Sequence, residues 1–132
     1  MMAGPDGTLA WNDKFKALLS MPYITSIVLH DRACWLDQFE PARIADKAVD
    51  TFARERVKVS TDPAITGTAA LVEIQMKNGK TYTDRRMVAK GDAADPLSRA
   101  EIQDKLRTAA KGVLSGAAVD RIIALVGGLE QL

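Results

Sequence analysis

The sequence predicts an α+β fold: helices flanking a three-stranded antiparallel sheet, with two further helices at the C-terminal end. Three observations carry this. Leu18 to Leu29 is apolar at nearly every helical position, the pattern of a helix buried on most sides. Asn78-Gly79 separates the runs Ala70 to Met76 and Thr81 to Val88, and that dipeptide between strand-like runs is a strong hairpin signal. Ser98, with Glu101 three residues on and an apolar periodic run behind it, is a capping box at a helix start.

Taken in order, residues 1 to about 12 are rich in Gly and Pro and read as a loose arm. Trp11 and Phe15 beside it read as ordinary core residues. Ser20 can cap the first long helix, and Pro22 is tolerated in its first turn. A second helix is expected near Lys47 to Arg54, with Val49 and Phe52 or Ala53 as its apolar stripe. Arg56-Val57-Lys58-Val59-Ser60 alternates strictly and reads as the first strand, ended by Asp62-Pro63. The hairpin supplies the second and third strands. A two-residue type I′ turn at Asn78-Gly79 would set Ile74 against Thr83, Gln75 against Tyr82, and Glu73 against Asp84, a mild like-charge penalty.

Gly91 lets the chain turn after the sheet, and Pro96 keeps Asp95 out of the helical region. Leu97 and Ile102 are spaced for a hydrophobic staple around the Ser98 cap. The helix so started runs from Arg99 to about Val113, with Ile102, Leu106, Ala109 or Ala110, and Val113 on one face. Ser115 can cap a last helix holding Val119, Ile122, Ile123 and Val126, with Gly127 as its left-handed stop.

At 132 residues with 47% hydrophobic and 27% charged positions, the chain is one globular domain of ordinary composition. Its 18 basic and 17 acidic residues leave a net charge of +1, which gives no electrostatic footprint for nucleic acid or an anionic membrane. A single Cys34 and a single His30 exclude a disulfide framework and a histidine- or thiolate-rich metal site. No apolar run approaches the roughly 20 residues of a membrane span, and the N-terminus lacks the regions of a signal peptide. The expectation is a cytoplasmic protein that engages neither nucleic acid nor membrane.

Few residues invite chemistry. His30-Asp31 is a base-and-carboxylate pair in sequence, but neighbours on a helix point about 100° apart, so a polar helix end is the plainer reading. Cys34 has no histidine at a readable spacing and reads as a small buried thiol. Lys80, Arg85 and Arg86 are suited to a carboxylate substrate, yet a solvated hairpin face accounts for them equally simply. Lys105 and Arg107 point to different faces, and Gly127-Gly128 lacks a phosphate-loop context. No acid–base or nucleophile constellation is complete, so no catalytic, cofactor-binding or metal-ligating residue is assigned, and no cofactor is expected.

The stretch Gly91-Asp92, Pro96-Leu97-Ser98, Glu101-Ile102, Lys105-Leu106-Arg107 and Ala109 resembles the C-terminal signature of the MmgE/PrpD family, which includes 2-methylcitrate dehydratase, cis-aconitate decarboxylase and iminodisuccinate epimerase. Leu19-Ser20-Met21-Pro22-Tyr23, Leu36-Asp37-Gln38-Phe39, Arg43-Ile44-Ala45-Asp46 with Ala48-Val49, and the terminal Leu129-Glu130-Gln131-Leu132 resemble further family segments in the family's order. Leu18 departs from the pattern, standing where that family usually has a charged or polar residue. The resemblance implies a lid-like α+β part at residues 1–92 and a helical tail at 93–132. It implies a lyase or isomerase of small di- or tricarboxylic acids whose main catalytic residues lie on a helical part absent from this chain. The implied partners are a second copy or a larger helical subunit of the same family, with a carboxylic-acid substrate at the shared interface. The rival expectation is a stand-alone binding or oligomerisation protein that has kept the fold without the activity.

Overall fold

The computed structural model describes residues 10–131; the expected loose arm falls mostly outside them, as do the reading of the N-terminus and Leu132 of the terminal motif. The architecture is α+β, with six α-helices and one two-stranded sheet among the described residues. Contacts group the chain into two compact units, divided between Pro63 and Ala64, whereas the sequence reading drew its internal boundary at residues 92–93.

The first unit is helical. Helix α1 (Lys14–Leu18) is capped by Asp13, whose side chain accepts from the Lys16 amide at 2.9 Å. Helix α2 (Met21–Asp31) starts at Ser20, which accepts from the Tyr23 amide, with Pro22 in the first turn as the sequence predicts. Helix α2 is amphipathic within this unit rather than buried on most sides. It buries Pro22, Tyr23, Ser26 and Ile27, while Met21, Val28 and Leu29 stay 53%, 42% and 40% exposed. A 3₁₀ turn (Leu36–Phe39) and helix α3 (Pro41–Ile44) lead to helix α4 (Lys47–Arg56). Asp46 caps α4 through the Ala48 and Val49 amides, and α4 buries Val49 and Ala53.

Trp11, Ala17, Tyr23, Ile27, Phe39, Ile44, Val49 and Ala53 close into one core. Trp11 is a core residue as expected, but Phe15 is 71% exposed. Two buried hydroxyls tie the helices: Ser26 Oγ donates to the Val49 carbonyl at 2.9 Å, and Tyr23 Oη donates to the Gln38 carbonyl at 2.5 Å.

The predicted strand at 56–60 does not form. Arg56 ends α4, and Val57 to Ser60 run on without a ladder partner. Val57 and Val59 are half-buried while Lys58 and Ser60 are exposed. The alternation therefore reports one-sided burial, not strand pairing. The sheet has two strands, β1 (Ala70–Gln75) and β2 (Thr81–Arg86), antiparallel.

The hairpin forms, in a different register from the expected one. Ile74 faces Tyr82, Glu73 faces Thr83, and Val72 faces Asp84. The physical reason lies in the turn. A type I′ turn needs positive φ at both central residues, and here Gly79 (φ +82) is left-handed while Asn78 is not. The Gly79 amide bonds to the Met76 carbonyl and the Met76 amide to the Lys80 carbonyl. The connection is thus a three-residue loop with its glycine in the left-handed position. The Asn78 side chain accepts from the Lys80 amide at 3.0 Å, and the Glu73–Asp84 repulsion does not arise.

Helix α5 (Arg99–Ala110) opens with the complete capping box: Glu101 N to Ser98 Oγ at 3.2 Å and Ser98 N to Glu101 Oε2 at 2.7 Å. Gly91 takes φ +96 ahead of it. Lys90 spans the hinge, reaching Asp95 Oδ1 and the Pro96 carbonyl at 3.1 Å each. Helix α5 ends three residues before Val113, because Gly112 turns left-handed (φ +80); Val113 is then 79% exposed. Helix α6 (Gly116–Gly127) is capped by Ser115 and packs on α5. Its stop is not a left-handed Gly127: that residue is still helical, and Gly128 follows at φ −104.

Candidate functional site

The chemistry-bearing residues of the first unit gather at the C-terminal end of α2. Asp31 is held by Arg43, which contacts both carboxylate oxygens, and by Gln38 Nε2 at 3.2 Å. Arg43 also pairs with Asp46, the residue that caps α4. The Arg43 guanidinium holds the Asp31 carboxyl below the usual carboxylate range, and the two carboxylates in turn raise the guanidinium's own pKa. Asp46 is lowered first by the Ala48 and Val49 amides it caps and further by Arg43. These charges are spent on fastening α2, α3 and α4 together.

Asp31 consequently does not orient His30. The His30 ring turns the other way: Nδ1 lies 2.8 Å from the Ser26 carbonyl, and the ring meets Phe52 edge-on at 5.2 Å. A carbonyl only accepts, so Nδ1 carries the hydrogen and Nε2 is the nitrogen left over. His30 lines a shallow cleft of about 460 Å³ with Lys47, Thr51, Phe52, Glu55 and Arg56. A second concavity, of about 800 Å³, is walled by Trp11, Pro41, Ile44 and Ala45 and rimmed by charged residues that include Lys47. Lys47 stands on the ridge between the two.

Cys34 is not the buried thiol that its isolation in sequence suggested. The residue is exposed as a whole, while its neighbours shield the sulfur enough to push its pKa up, so it is no activated nucleophile. On the hairpin, Lys80 lies 4.6 Å above the Tyr82 ring and Arg86 pairs with Asp84 at 3.3 Å. Arg85 is opposite Leu71 and Arg86 opposite Ala70, so the two arginines leave the sheet on opposite faces and do not converge on one carboxylate. Arg107 reaches Asp120 of α6 at 2.5 Å. The Arg99 side chain fills the space that a side chain at Gly127 would need. No group of three or more His, Cys, Asp or Glu among the described residues can hold a metal ion, and no described helix is long and apolar enough to cross a membrane.

Sequence reasoning missed two features. Arg43 with Asp46 is visible as an i, i+3 pair, but Asp31 lies 12 positions away and carries no local signal. The cavity at Trp11 had one clue, an aromatic beside an arm.

Comparison with known proteins accords with this framework. Residues 4–131 match the family described as MmgE/PrpD C-terminal domain. A stretch of 61 residues, 46% of the chain, is 34% identical to human cis-aconitate decarboxylase, of which it spans 13%. The match over nearly the whole length means that this chain belongs to the MmgE/PrpD family, as a C-terminal domain of it.

Proposed function

We propose that the chain is the lid and assembly part of a lyase or isomerase acting on small di- or tricarboxylic acids, and that it does not turn over substrate alone. The observation that carries this is the family match across residues 4–131. The likeness to a decarboxylase of cis-aconitate, a small tricarboxylic acid, supports the substrate class. Such reactions remove a proton α to a carboxylate or expel carbon dioxide, and a closing part assists by excluding water.

The second unit supports the assembly role. Ala110 and Val119 are its buried hydrophobic residues among those described, while Leu71, Met87, Ile102, Leu125, Val126 and Leu129 are each about half exposed or more. Large exposed apolar patches mark interfaces. The occupant is a larger helical subunit of the family or a second copy of the chain.

Reconstitution tests the reading. The purified chain should give no turnover of cis-aconitate or citrate-like acids, and should copurify with and activate a helical family subunit that lacks this part. Turnover by the chain alone that is lost in His30→Ala would overturn the proposal and restore His30 as a site. Failure to associate would favour a stand-alone binding protein.

A further inference from the structure

The two compact units of the chain are unequally held. In the first, eight side chains close into one core, among them Trp11, Tyr23 and Phe39. Buried hydroxyls at Ser26 and Tyr23 fasten α2 to α4 and to the 3₁₀ turn, and Arg43 ties Asp31 to Asp46. In the second, Ala110 and Val119 are the buried hydrophobic residues among those described. No residue of β1 or β2 is buried, and a lone two-stranded hairpin is marginal in water. Helices α5 and α6 have 12 residues each, within the ~12–15 residues at which a helix without packing is marginal. The ion pairs Arg86–Asp84, Lys90–Asp95 and Arg107–Asp120 have side chains at least 45% exposed, and surface pairs of this kind add little.

Burial of apolar surface is the main favourable term in folding, so its distribution sets where a chain opens first. We infer that the second unit is a separate order–disorder element: β1, β2, α5 and α6 open and close while the helical core of the first unit stays folded. Residues 57–69, which join the two, form neither helix nor strand, so no continuous element has to break when one unit opens. The apolar side chains that the second unit leaves in solvent, Leu125 and Val126 among them, gain little from its closing, and the closed form is held by a small margin. Parts of low local stability are the ones that conformational switches draw on. The inference concerns the chain by itself and does not depend on the proposed assembly or reaction.

The whole chain carries its own reporters. Its two tryptophans, Trp11 and Trp35, both lie in the first unit, so their fluorescence follows that core alone, whereas far-ultraviolet circular dichroism follows the helices of both units. The two signals are recorded through a urea titration with the chain at on the order of 1 µM, to limit self-association, and hydrogen exchange read by mass spectrometry localises the early loss. The dichroism should lose a first portion before the fluorescence moves, and the amides of β1, β2, α5 and α6 should be protected at least about tenfold less than those of α2 and α4. Ser98→Ala should lower the first midpoint and leave the fluorescence midpoint in place. Ile27→Ala should lower the fluorescence midpoint and leave protection in α5 and α6 unchanged. Coincident dichroism and fluorescence transitions overturn the inference, as does equal protection in the two units or a joint shift of both steps by either variant.

Discussion

Ile27 offers the sharpest test of how the first unit is held. It is fully buried in the cluster with Trp11, Tyr23, Phe39, Ile44 and Val49. Ile27→Ala removes the three carbons beyond Cβ, a transfer loss of about 2.4 kcal/mol at ~0.8 per methylene. The cavity left among rigid aromatic neighbours adds to it, so the expected cost is about 3–4 kcal/mol. For a unit of this size that is a fall in Tm of roughly 12–30 °C. Val28, the next residue on α2, is 42% exposed and serves as the control, with an expected cost near or below 1 kcal/mol on truncation to Ala. Urea unfolding followed by tryptophan fluorescence reads both variants, because Trp11 lies in the same cluster. Equal costs for Ile27→Ala and Val28→Ala would mean that α2 does not present this face to the core, and the packing argument would fail.

Two further outcomes follow from the site and the hinge. Ser98→Ala should destabilise by about 1 kcal/mol, the usual loss for an N-cap; an unchanged thermal midpoint would mean that the box at α5 is not formed in solution. Asp31 has its pKa depressed in the folded state, chiefly by Arg43, so its stabilisation is present above its unfolded pKa near 3.9 and is lost as pH falls through the lower folded value. The urea midpoint should therefore decline below about pH 4, and Asp31→Asn should decline less steeply over the same range. Parallel curves for the two proteins would remove Asp31 from the acid limb, leaving Asp13, Asp46 and Glu101, which are also depressed.

Local chemistry in this chain was legible from the sequence. The Ser20, Ser98 and Ser115 caps are each set by a side chain and amides within three residues, so the sequence contains the whole interaction. The hairpin was legible as a turn but not in register, because Asn78 accepts either backbone hand and its neighbours decide. Val57 to Ser60 misled because alternation records which side of an extended segment is covered, whereas a strand needs a second segment alongside. The Asp31–Arg43 tie, the exposure of Cys34 as a residue and the buried, unpaired indole of Trp11 depend on residues far apart in sequence, and composition and spacing carry no trace of them.

The seat of Arg99 over Gly127 has a consequence for how this part of the chain can vary. Arg99 is the first residue of a 12-residue helix and Gly127 the last of another 12-residue helix. The two lengths thus work as a gauge, bringing opposite ends of the pair level. Adding one residue inside either helix would carry its end about 1.5 Å along and 100° around, and the arginine would lose its seat. Length changes between relatives should therefore fall in residues 111–115, where the chain only reverses direction, while both helices keep their count.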